Sequence, residues 1–223
     1  GAFSGSLNRG MHQHSFSGTL SMGAGASHVK GEVSLTRRAP FGPLSLRFDL
    51  STTGNELTGT LRDSAINPPD IANISGLRAA RATDLPTGLL NSRWNTSYEL
   101  PLPLVGNAEF PQGAGWGSQL ISLSGTATWT GRLADGTAVT ASSGIAATGQ
   151  TPLHAMLYAF SGSVQGWQML NSTTAQSSGA LSWSKTPVIS ANYIAGFARH
   201  VLVGTGGRYT VPIANQPLFG IPL

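Results

Sequence analysis

Apolar and polar residues alternate one by one along most of the chain. The alternation is clearest in residues 3–7, 44–50, 57–61, 121–124 and 180–183. A period of two places one set of side chains in a core and the other in water, which is typical of half-buried antiparallel strands. Turn residues separate these segments, and Asp135-Gly136 is the strongest hairpin signal among them. Only residues 71–82 leave room for one or two helical turns, so the pattern predicts an all-β protein.

A repeated motif divides the chain into two halves. Residues 3–7 (Phe-Ser-Gly-Ser-Leu), followed by Gly10, recur as residues 129–133 (Trp-Thr-Gly-Arg-Leu), followed by Gly136. The same offset relates residues 17–18 (Ser-Gly) to residues 143–144 (Ser-Gly). Further on, residues 57–61 (Leu-Thr-Gly-Thr-Leu) resemble residues 177–181 (Ser-Ser-Gly-Ala-Leu). Three matches in the same order favour an internal duplication.

We therefore predict two homologous half-units of antiparallel strands, which form either a pseudo-symmetric barrel or a pair of packed sandwiches. The first half-unit covers residues 1–93 and the second covers residues 94–223. Within the second, residues 94–118 form an inter-repeat segment and residues 205–223 a C-terminal strand and tail. The whole chain also has the length of one compact all-β domain.

The two ends of the repeat do not match. Residues 98–102 (Tyr-Glu-Leu-Pro-Leu) precede the second copy and are echoed by residues 209–213 (Tyr-Thr-Val-Pro-Ile), whereas nothing similar precedes the first copy. We expect the first half to lack a leading strand and the tail to carry a spare one. The tail then folds back onto the first half or pairs with another molecule, unless the sequence is a processed or excised piece of a longer chain. The predicted assembly residues are Tyr209, Val211, Ile213, Leu218, Phe219 and Ile221.

Blocks of residues in the second half resemble a known bacterial module. They are Gly131-Arg132-Leu133-Ala134-Asp135-Gly136-Thr137, Leu157-Tyr158, Gly166-Trp167, Gly179-Ala180-Leu181-Ser182-Trp183, Tyr193-x-x-Gly196-Phe197 and Gly207-Arg208-Tyr209-Thr210. These blocks are similar to a recurrent β-rich module of large surface proteins of environmental bacteria, which often lies beside other extracellular β-domains. The resemblance implies secretion and a structural or adhesive role. The Pro-rich insert at residues 101–111 departs from the pattern.

Charged residues are scarce and scattered. They make up 10% of the chain, against about 25% in an ordinary soluble domain. The net charge is +4, but the densest basic cluster is only Arg37-Arg38, so the sequence indicates no nucleic-acid partner. No apolar run approaches the ~18 residues of a spanning helix, which predicts no membrane span. Many Gly, Ser and Thr residues and only two Lys favour a secreted or cell-surface protein.

Three histidines form the sharpest candidate for chemistry. His12 and His14 share one face of a strand and would hold a zinc or copper ion together, with His28 as a third ligand from a neighbouring strand. Phe16 belongs to the same face and indicates core packing instead. No carboxylate lies nearby in sequence to orient the rings, so we predict no cofactor.

An exposed tryptophan is the candidate for ligand binding. Trp116 lies between glycines in a segment where no alternation buries it, so we expect it to be exposed and available for stacking on a sugar. Trp129 and Trp183 lie at repeat positions and are expected in the core. The chain has no nucleophile elbow, phosphate-binding loop or dinucleotide fingerprint, which indicates a protein that is not an enzyme.

These observations favour a secreted structural or adhesive β-domain that associates with itself or with neighbouring surface proteins. Its scarce Lys and Glu residues leave few obstacles to pairing at sheet edges, and its C-terminal strand would pair with the edge of a neighbour, as in an extracellular fibre. The alternatives are a carbohydrate-binding module that uses exposed aromatic residues and a metal-dependent enzyme at His12 and His14.

Overall fold

The computed structural model describes residues 1–9, 12–22, 27–37, 42–63, 65, 70–100, 109–188 and 193–212. These residues form fourteen antiparallel strands and no α-helix, which confirms the predicted all-β fold. Two short 3₁₀ turns occur at Ala82–Asp84 and Tyr158–Phe160. Residues 70–77, where the sequence left room for a helical turn, form a strand instead.

The chain divides into two units, Gly1–Arg78 and Ala79–Leu223. The division falls fifteen residues before the predicted boundary at residue 93, as the unit limits show. The intervening residues belong to the second unit because they pack there. The Ala80 N–H donates to the Ile145 carbonyl at 2.8 Å, and Leu89 is buried in the same apolar cluster as Trp94.

Unit 2 is a nearly closed eight-stranded barrel. Its strands are β7 (Ser92–Glu99), β8 (Ala114–Ile121), β9 (Thr126–Arg132), β10 (Ala138–Gly144), β11 (Gln150–Leu157), β12 (Gly162–Asn171), β13 (Gln176–Lys185) and β14 (Phe197–Arg208). The last strand pairs with the first, which gives the order β10-β9-β8-β7-β14-β13-β12-β11. Strands β10 and β11 are in contact at the remaining seam. Of the two predicted architectures, this unit adopts the barrel.

Alternate residues of these strands fill the barrel. Trp94, Trp183 and Tyr98 are among its largest fully buried side chains, and Trp129 is buried with them. The expectation that Trp129 and Trp183 lie in the core is confirmed. Glycine is required at position 117 because the ring of Trp129 covers it, so that any Cβ there would collide with the indole.

Unit 1 contains six strands that follow one another in sequence. They are β1 (Ala2–Arg9), β2 (His12–Thr19), β3 (His28–Leu35), β4 (Leu44–Ser51), β5 (Glu56–Asp63) and β6 (Asp70–Leu77). Strands β3 to β6 form one sheet and β1 pairs with β2, while a single bridge between Ser21 and Lys30 joins the two groups. The fully buried apolar core is small and consists of Leu35, Leu44, Leu46 and Phe48.

The two units share the same strand register over much of their length. Phe48 pairs with Gly31 and Gly59, and 120 residues later Gln168 pairs with Thr151 and Gly179. Strands β3, β4 and β5 therefore correspond to β11, β12 and β13.

The last strands of the units correspond as well. Gly76 of β6 pairs with Leu57, and Gly206 of β14 pairs with Ser177, the counterpart of Leu57. In both units an arginine lies two residues after this glycine, at Arg78 in unit 1 and at Arg208 in unit 2. The motif at residues 3–7 lies on β1 and its copy begins on β9, so β1 to β6 correspond to β9 to β14.

One of the three sequence matches does not keep its register. Phe3 pairs with Gly18, but Trp129, its counterpart, pairs with Ala141 rather than Gly144. The reason is the turn. Two residues separate β1 from β2, whereas five separate β9 from β10, so the second strand of each hairpin slides relative to the first.

Candidate functional site

Two strands of unit 2, β7 and β8, have no counterpart among the described residues of unit 1. In unit 2, β7 pairs with β14 and β8 pairs with β9. Among the described residues of unit 1, no strand pairs with the outer edge of β6 or of β1, which occupy the places of β14 and β9. The sequence predicted that the first half lacks one leading strand, whereas two strands of unit 2 have no partner in the described part of unit 1. We call the outer edges of β1 and β6, with the space between them, the open side of unit 1.

An apolar cavity of about 350 Å³ lies on the open side. Residues of β1, β2, β4, β5 and β6 line it, so it lies between the two sheets of unit 1. The apolar side chains that face the cavity and remain partly exposed are Phe3, Leu7, Phe16, Leu50, Leu57 and Ile74. Half-buried side chains of this size leave a large hydrophobic free energy unrealised, since burying one completely contributes about 1.5–3 kcal/mol.

In unit 2, inward side chains of β7 and β8 fill the corresponding space. Trp94 and Tyr98 of β7 and Ile121 of β8 are buried. The ring of Tyr98 packs edge-on against Trp129, with 5.8 Å between ring centroids. Because Trp129 occupies the place of Phe3, the corresponding cover for Phe3 would come from a strand paired with the outer edge of β6.

A buried polar network also ties β7 and β8 to the barrel. Gln168 donates from Nε2 to the Thr96 hydroxyl at 2.5 Å and accepts at Oε1 from the Tyr98 hydroxyl at 3.1 Å. Gln119 of β8 donates to Thr151 at 2.8 Å, and Thr96 lies 2.9 Å from the Ser177 hydroxyl. Burial raises the pKa of Tyr98 to about 12.

The counterparts of this network in unit 1 are apolar. Phe48 stands in the place of Gln168, Leu57 in that of Ser177 and Gly31 in that of Thr151. The two units thus share a frame of strands but differ in the chemistry of the surface that receives the first two strands. Sequence reasoning missed this surface, although Thr96, Gln119, Gln168 and Ser177 were visible as polar residues at inward positions.

Most of each edge of the open side carries none of the usual obstacles to strand pairing, and only the end residues Arg9 of β1 and Asp70 of β6 are charged. Natural proteins protect such edges with Lys, proline, bulges or inward charges. Residues 71–77 of β6 and 2–7 of β1 contain neither a charged residue nor proline. The exposed side chains along β6 include Ala72, Asn73 and Ser75. An incoming strand would meet only small or neutral side chains here.

Of the three predicted metal ligands, the structure describes the side chains of His14 and His28 and does not bring these two together. His12 and His14 lie on β2, where His14 shares a face with Phe16, and the side chain of His12 lies outside the described residues. His28 begins β3. The antiparallel bridge between Ser21 and Lys30 places His28 opposite residues that follow the end of β2, away from His14. Across the described residues, no three His, Asp or Glu side chains form a metal-binding group.

Trp116 lies on the outer face of the barrel with 55% of its surface exposed. It is part of the regular strand β8 and pairs with Ser97 of β7 and Arg132 of β9. The flanking glycines therefore have a different role from the one expected. They alternate inward, and Gly117 leaves room for the ring of Trp129.

The predicted assembly residues fall partly within the described chain. Tyr209 and Val211 are 43% and 73% exposed, and the Tyr209 N–H donates to the Arg93 carbonyl at 2.7 Å. Ile213, Leu218, Phe219 and Ile221 lie outside the described residues.

The chain has no match among protein-family models, curated proteins or solved structures. Its resemblance to a module of bacterial surface proteins therefore stays a prediction. In the part of the chain that the structure describes, no helix has the length and apolar character needed to cross a membrane.

Proposed function

We propose that the protein is a non-enzymatic structural module of a secreted or cell-surface assembly, in which the open side of unit 1 accepts β-strands from another polypeptide. One observation carries the proposal. Among the described residues of unit 1, the outer edges of β1 and β6 have no paired strand, and an apolar cavity is lined by residues of both strands.

A β-strand added at the open side would make two kinds of favourable contact. The edge N–H and C=O groups of β1 and β6 would gain main-chain hydrogen bonds, and alternate side chains of the added strand would enter the cavity. The apolar lining supplies most of the driving force, because covering Phe3, Leu50 and Leu57 removes their exposed surface from water. The low charge of the chain keeps the electrostatic cost of such an association small.

The C-terminal segment, residues 209–223, is the donor that the sequence suggests. Tyr209 and Val211 are exposed and extend beyond β14. A tail that pairs with the open side of the next copy makes a head-to-tail contact, which generates an open chain of subunits rather than a closed ring. A secreted fibre or surface layer has this kind of symmetry.

A matched pair of substitutions tests the acceptor. Gly206 faces β7 so closely that a Cβ would collide with the Asn95 carbonyl, whereas a Cβ at Gly76 meets only Leu57, at 3.6 Å. Gly76→Ala should therefore leave the isolated chain intact but obstruct an incoming strand. Ser75→Ala changes an exposed neighbour and serves as the control.

Light scattering on the full chain over a range of concentrations measures the outcome. We expect wild type and Ser75→Ala to grow in mass with concentration, Gly76→Ala to stay at the mass of one chain, and a chain ending at Arg208 to do the same. Assembly by Gly76→Ala that equals wild type would refute the open side as acceptor. A wild-type chain that stays monomeric would refute self-association.

Carbohydrate binding is the second candidate, and the exposure of Trp116 on a regular strand supports it. The indole has Ser97 and Arg132 beside it, which offer hydrogen bonds to hydroxyl groups around a stacking surface. Leu120 is an exposed apolar residue on the same strand and provides the control. Glycan-array binding that Trp116→Ala abolishes and Leu120→Ala retains would support this role, and an array without any binding would refute it.

A further inference from the structure

A second cavity, of about 620 Å³, lies in unit 2 where β7 begins and β14 ends. Its lining consists of residue 88, residues 90–93, Leu120 and residues 208–211, all of which belong to unit 2. We call this cavity the arginine groove. We propose that it binds a polysaccharide built from uronic acids, whose carboxylate groups pair with Arg93 and Arg208.

The arginine groove has two cationic side chains and no acidic one. Arg93 and Arg208 both line it, while none of the described residues that form it is an aspartate or a glutamate. Within the part of the chain that the structure describes, neither arginine has a carboxylate at salt-bridge distance. A guanidinium pairs well with a carboxylate because it donates two parallel hydrogen bonds to the two oxygens. The charge of the groove therefore favours a carboxylate ligand.

The strand register places Arg93 in the middle of a row of exposed side chains. Arg93 pairs with Leu120 of β8, and on its other side the Arg93 carbonyl accepts a hydrogen bond from the Tyr209 N–H at 2.7 Å. Residues directly opposite one another on neighbouring strands share a face, with Cβ atoms about 4.5–5.5 Å apart. The cation thus lies between an aliphatic side chain and a phenol ring, which are 46% and 43% exposed.

Arg208 borders the groove beside the loop that precedes β7. Its Nη1 donates to the Gly88 carbonyl at 3.4 Å, and a Cβ at residue 88 would lie 2.7 Å from the same nitrogen. The glycine, which has a φ of +88°, leaves this space to the guanidinium. The contact uses one of the five N–H donors of the arginine and leaves the others for a ligand.

The remaining lining suits a sugar ring rather than a bare anion. The Tyr209 ring beside the cation offers a stacking surface for the apolar face of a sugar, and Leu120 extends this surface. Thr210 and Asn91 supply a hydroxyl and an amide that bond hydroxyl groups. A uronic acid combines a ring, hydroxyl groups and a carboxylate, so one ligand residue uses all of these contacts. Successive residues of a polymer present further carboxylates to the second arginine.

The arginine groove is separate from the other candidate sites. It lies within unit 2, and Trp116 does not line it. Its binding is therefore independent of strand acceptance by unit 1. Tyr209 and Val211 also belong to the donor segment proposed above, so the groove is tested at concentrations at which the chain is monomeric and these residues keep their place beside β7.

Isothermal titration calorimetry of the full chain with an oligomer of galacturonic acid tests the proposal. The matched ligand is the same oligomer with its carboxylates methyl-esterified, which keeps the rings and hydroxyl groups but removes the charge. Arg93→Gln and Arg208→Gln each remove one cation of the groove. Arg199→Gln makes the same change of charge at an exposed arginine of β14 that does not line the groove.

We expect the wild-type chain to bind the acidic oligomer about tenfold or more tightly than its methyl ester, as charged hydrogen bonds at two arginines require. Arg93→Gln and Arg208→Gln should each weaken this binding by about tenfold. Arg199→Gln and Trp116→Ala should change it by less than about twofold, because neither side chain lines the groove. Because Arg93 is exposed on β7, its variant should keep the circular dichroism spectrum of the wild type.

Four results would overturn the proposal. Equal affinity for the oligomer and its methyl ester excludes carboxylate recognition. Equal losses in Arg93→Gln and Arg199→Gln show that the net charge of +4 attracts the ligand without a site. Equal affinity for a single-stranded DNA of the same charge shows a surface for polyanions in general. Absence of binding by the monomeric wild-type chain excludes the groove as a uronic acid site.

Discussion

Phe48 and Gln168 occupy the same register position in the two units, yet one lines an open apolar cavity and the other anchors a buried polar network. Gln168 holds Tyr98 and Thr96 of β7 by hydrogen bonds, whereas Phe48 contacts the ring of Phe3. The same frame of antiparallel strands thus encloses two different interiors. Only one of them contains the strands that complete it.

Replacing Gln168 should destabilise unit 2. Gln168→Leu leaves the buried Tyr98 hydroxyl without this partner inside the barrel, at a cost of about 1–3 kcal/mol, whereas Thr96 keeps the Ser177 hydroxyl as a partner. Urea unfolding followed by tryptophan fluorescence measures the loss. Gln165→Leu, an exposed position on the same strand, should change the free energy of unfolding by no more than about 0.5 kcal/mol. Equal stabilities of the two variants would contradict the role of the network.

Alanine at the corresponding positions Gly206 and Gly76 should change the free energy of unfolding by very different amounts. Gly206→Ala pushes a methyl group into the backbone of β7 at Asn95, and such overpacking costs about 1–3 kcal/mol. Gly76→Ala meets only ordinary contacts with Leu57, so the unfolding free energy of the isolated chain should change by less than about 0.5 kcal/mol. Denaturation of both variants at low protein concentration compares them. A large destabilisation by Gly76→Ala would show that a strand already covers β6.

The buried ion pair between Arg37 and Asp63 should contribute far more to the free energy of unfolding than the exposed ion pair between Arg47 and Glu32. Arg37 donates to both carboxylate oxygens of Asp63, at 2.9 and 2.7 Å, and both side chains are at least nine-tenths buried. Asp63→Ala leaves a buried guanidinium without its carboxylate and should cost about 3–5 kcal/mol. Glu32→Ala removes an exposed partner of Arg47 and should cost about 1 kcal/mol or less. Thermal or urea unfolding distinguishes the two, and similar losses would contradict this account.

Alkaline pH should destabilise the barrel through Tyr98. Burial raises the pKa of Tyr98 to about 12 in the folded protein, from about 10 in an unfolded chain. The stability from the neutral hydroxyl is fully present below pH ~10 and decreases as the pH rises toward 12, by about 1.4 kcal/mol per pH unit. Urea unfolding at several pH values between 9 and 11.5 gives the slope. Tyr98→Phe should have a shallower slope than wild type, and identical slopes would contradict the assignment.

Local alternation predicted the strands because it depends only on which side of a sheet each residue faces. It also located the repeat, since residues 3–7 and 129–133 lie on corresponding strands. Alternation could not predict that β14 pairs with β7 and closes the barrel, because pairing between distant strands leaves no periodic pattern in the sequence. Strand β8 was assigned to an inter-repeat segment for a similar reason. Its inward residues include Gly115 and Gly117, so no apolar alternation marks it.

Tyr98 and Tyr209 begin two similar segments, residues 98–102 and 209–213, but lie in different environments. Tyr98 is buried within β7 and hydrogen-bonded to Gln168, whereas Tyr209 follows the end of β14 and is exposed. The candidate site was equally hard to predict. It consists of a space between strands, and sequence patterns report residues that are present rather than neighbours that are missing.

Amide hydrogen exchange along β6 and β14 tests most directly whether the outer edge of β6 is unpaired. In β14 both sets of alternating amides lie between paired strands, so we predict that residues 203–207 are protected without interruption. In β6 of the monomeric chain, the amides that point toward β5 should be protected, and the alternate amides of residues 71–77 should exchange at nearly the rate of an unfolded peptide. Uninterrupted protection of β6 at concentrations where the chain is monomeric would contradict the open side.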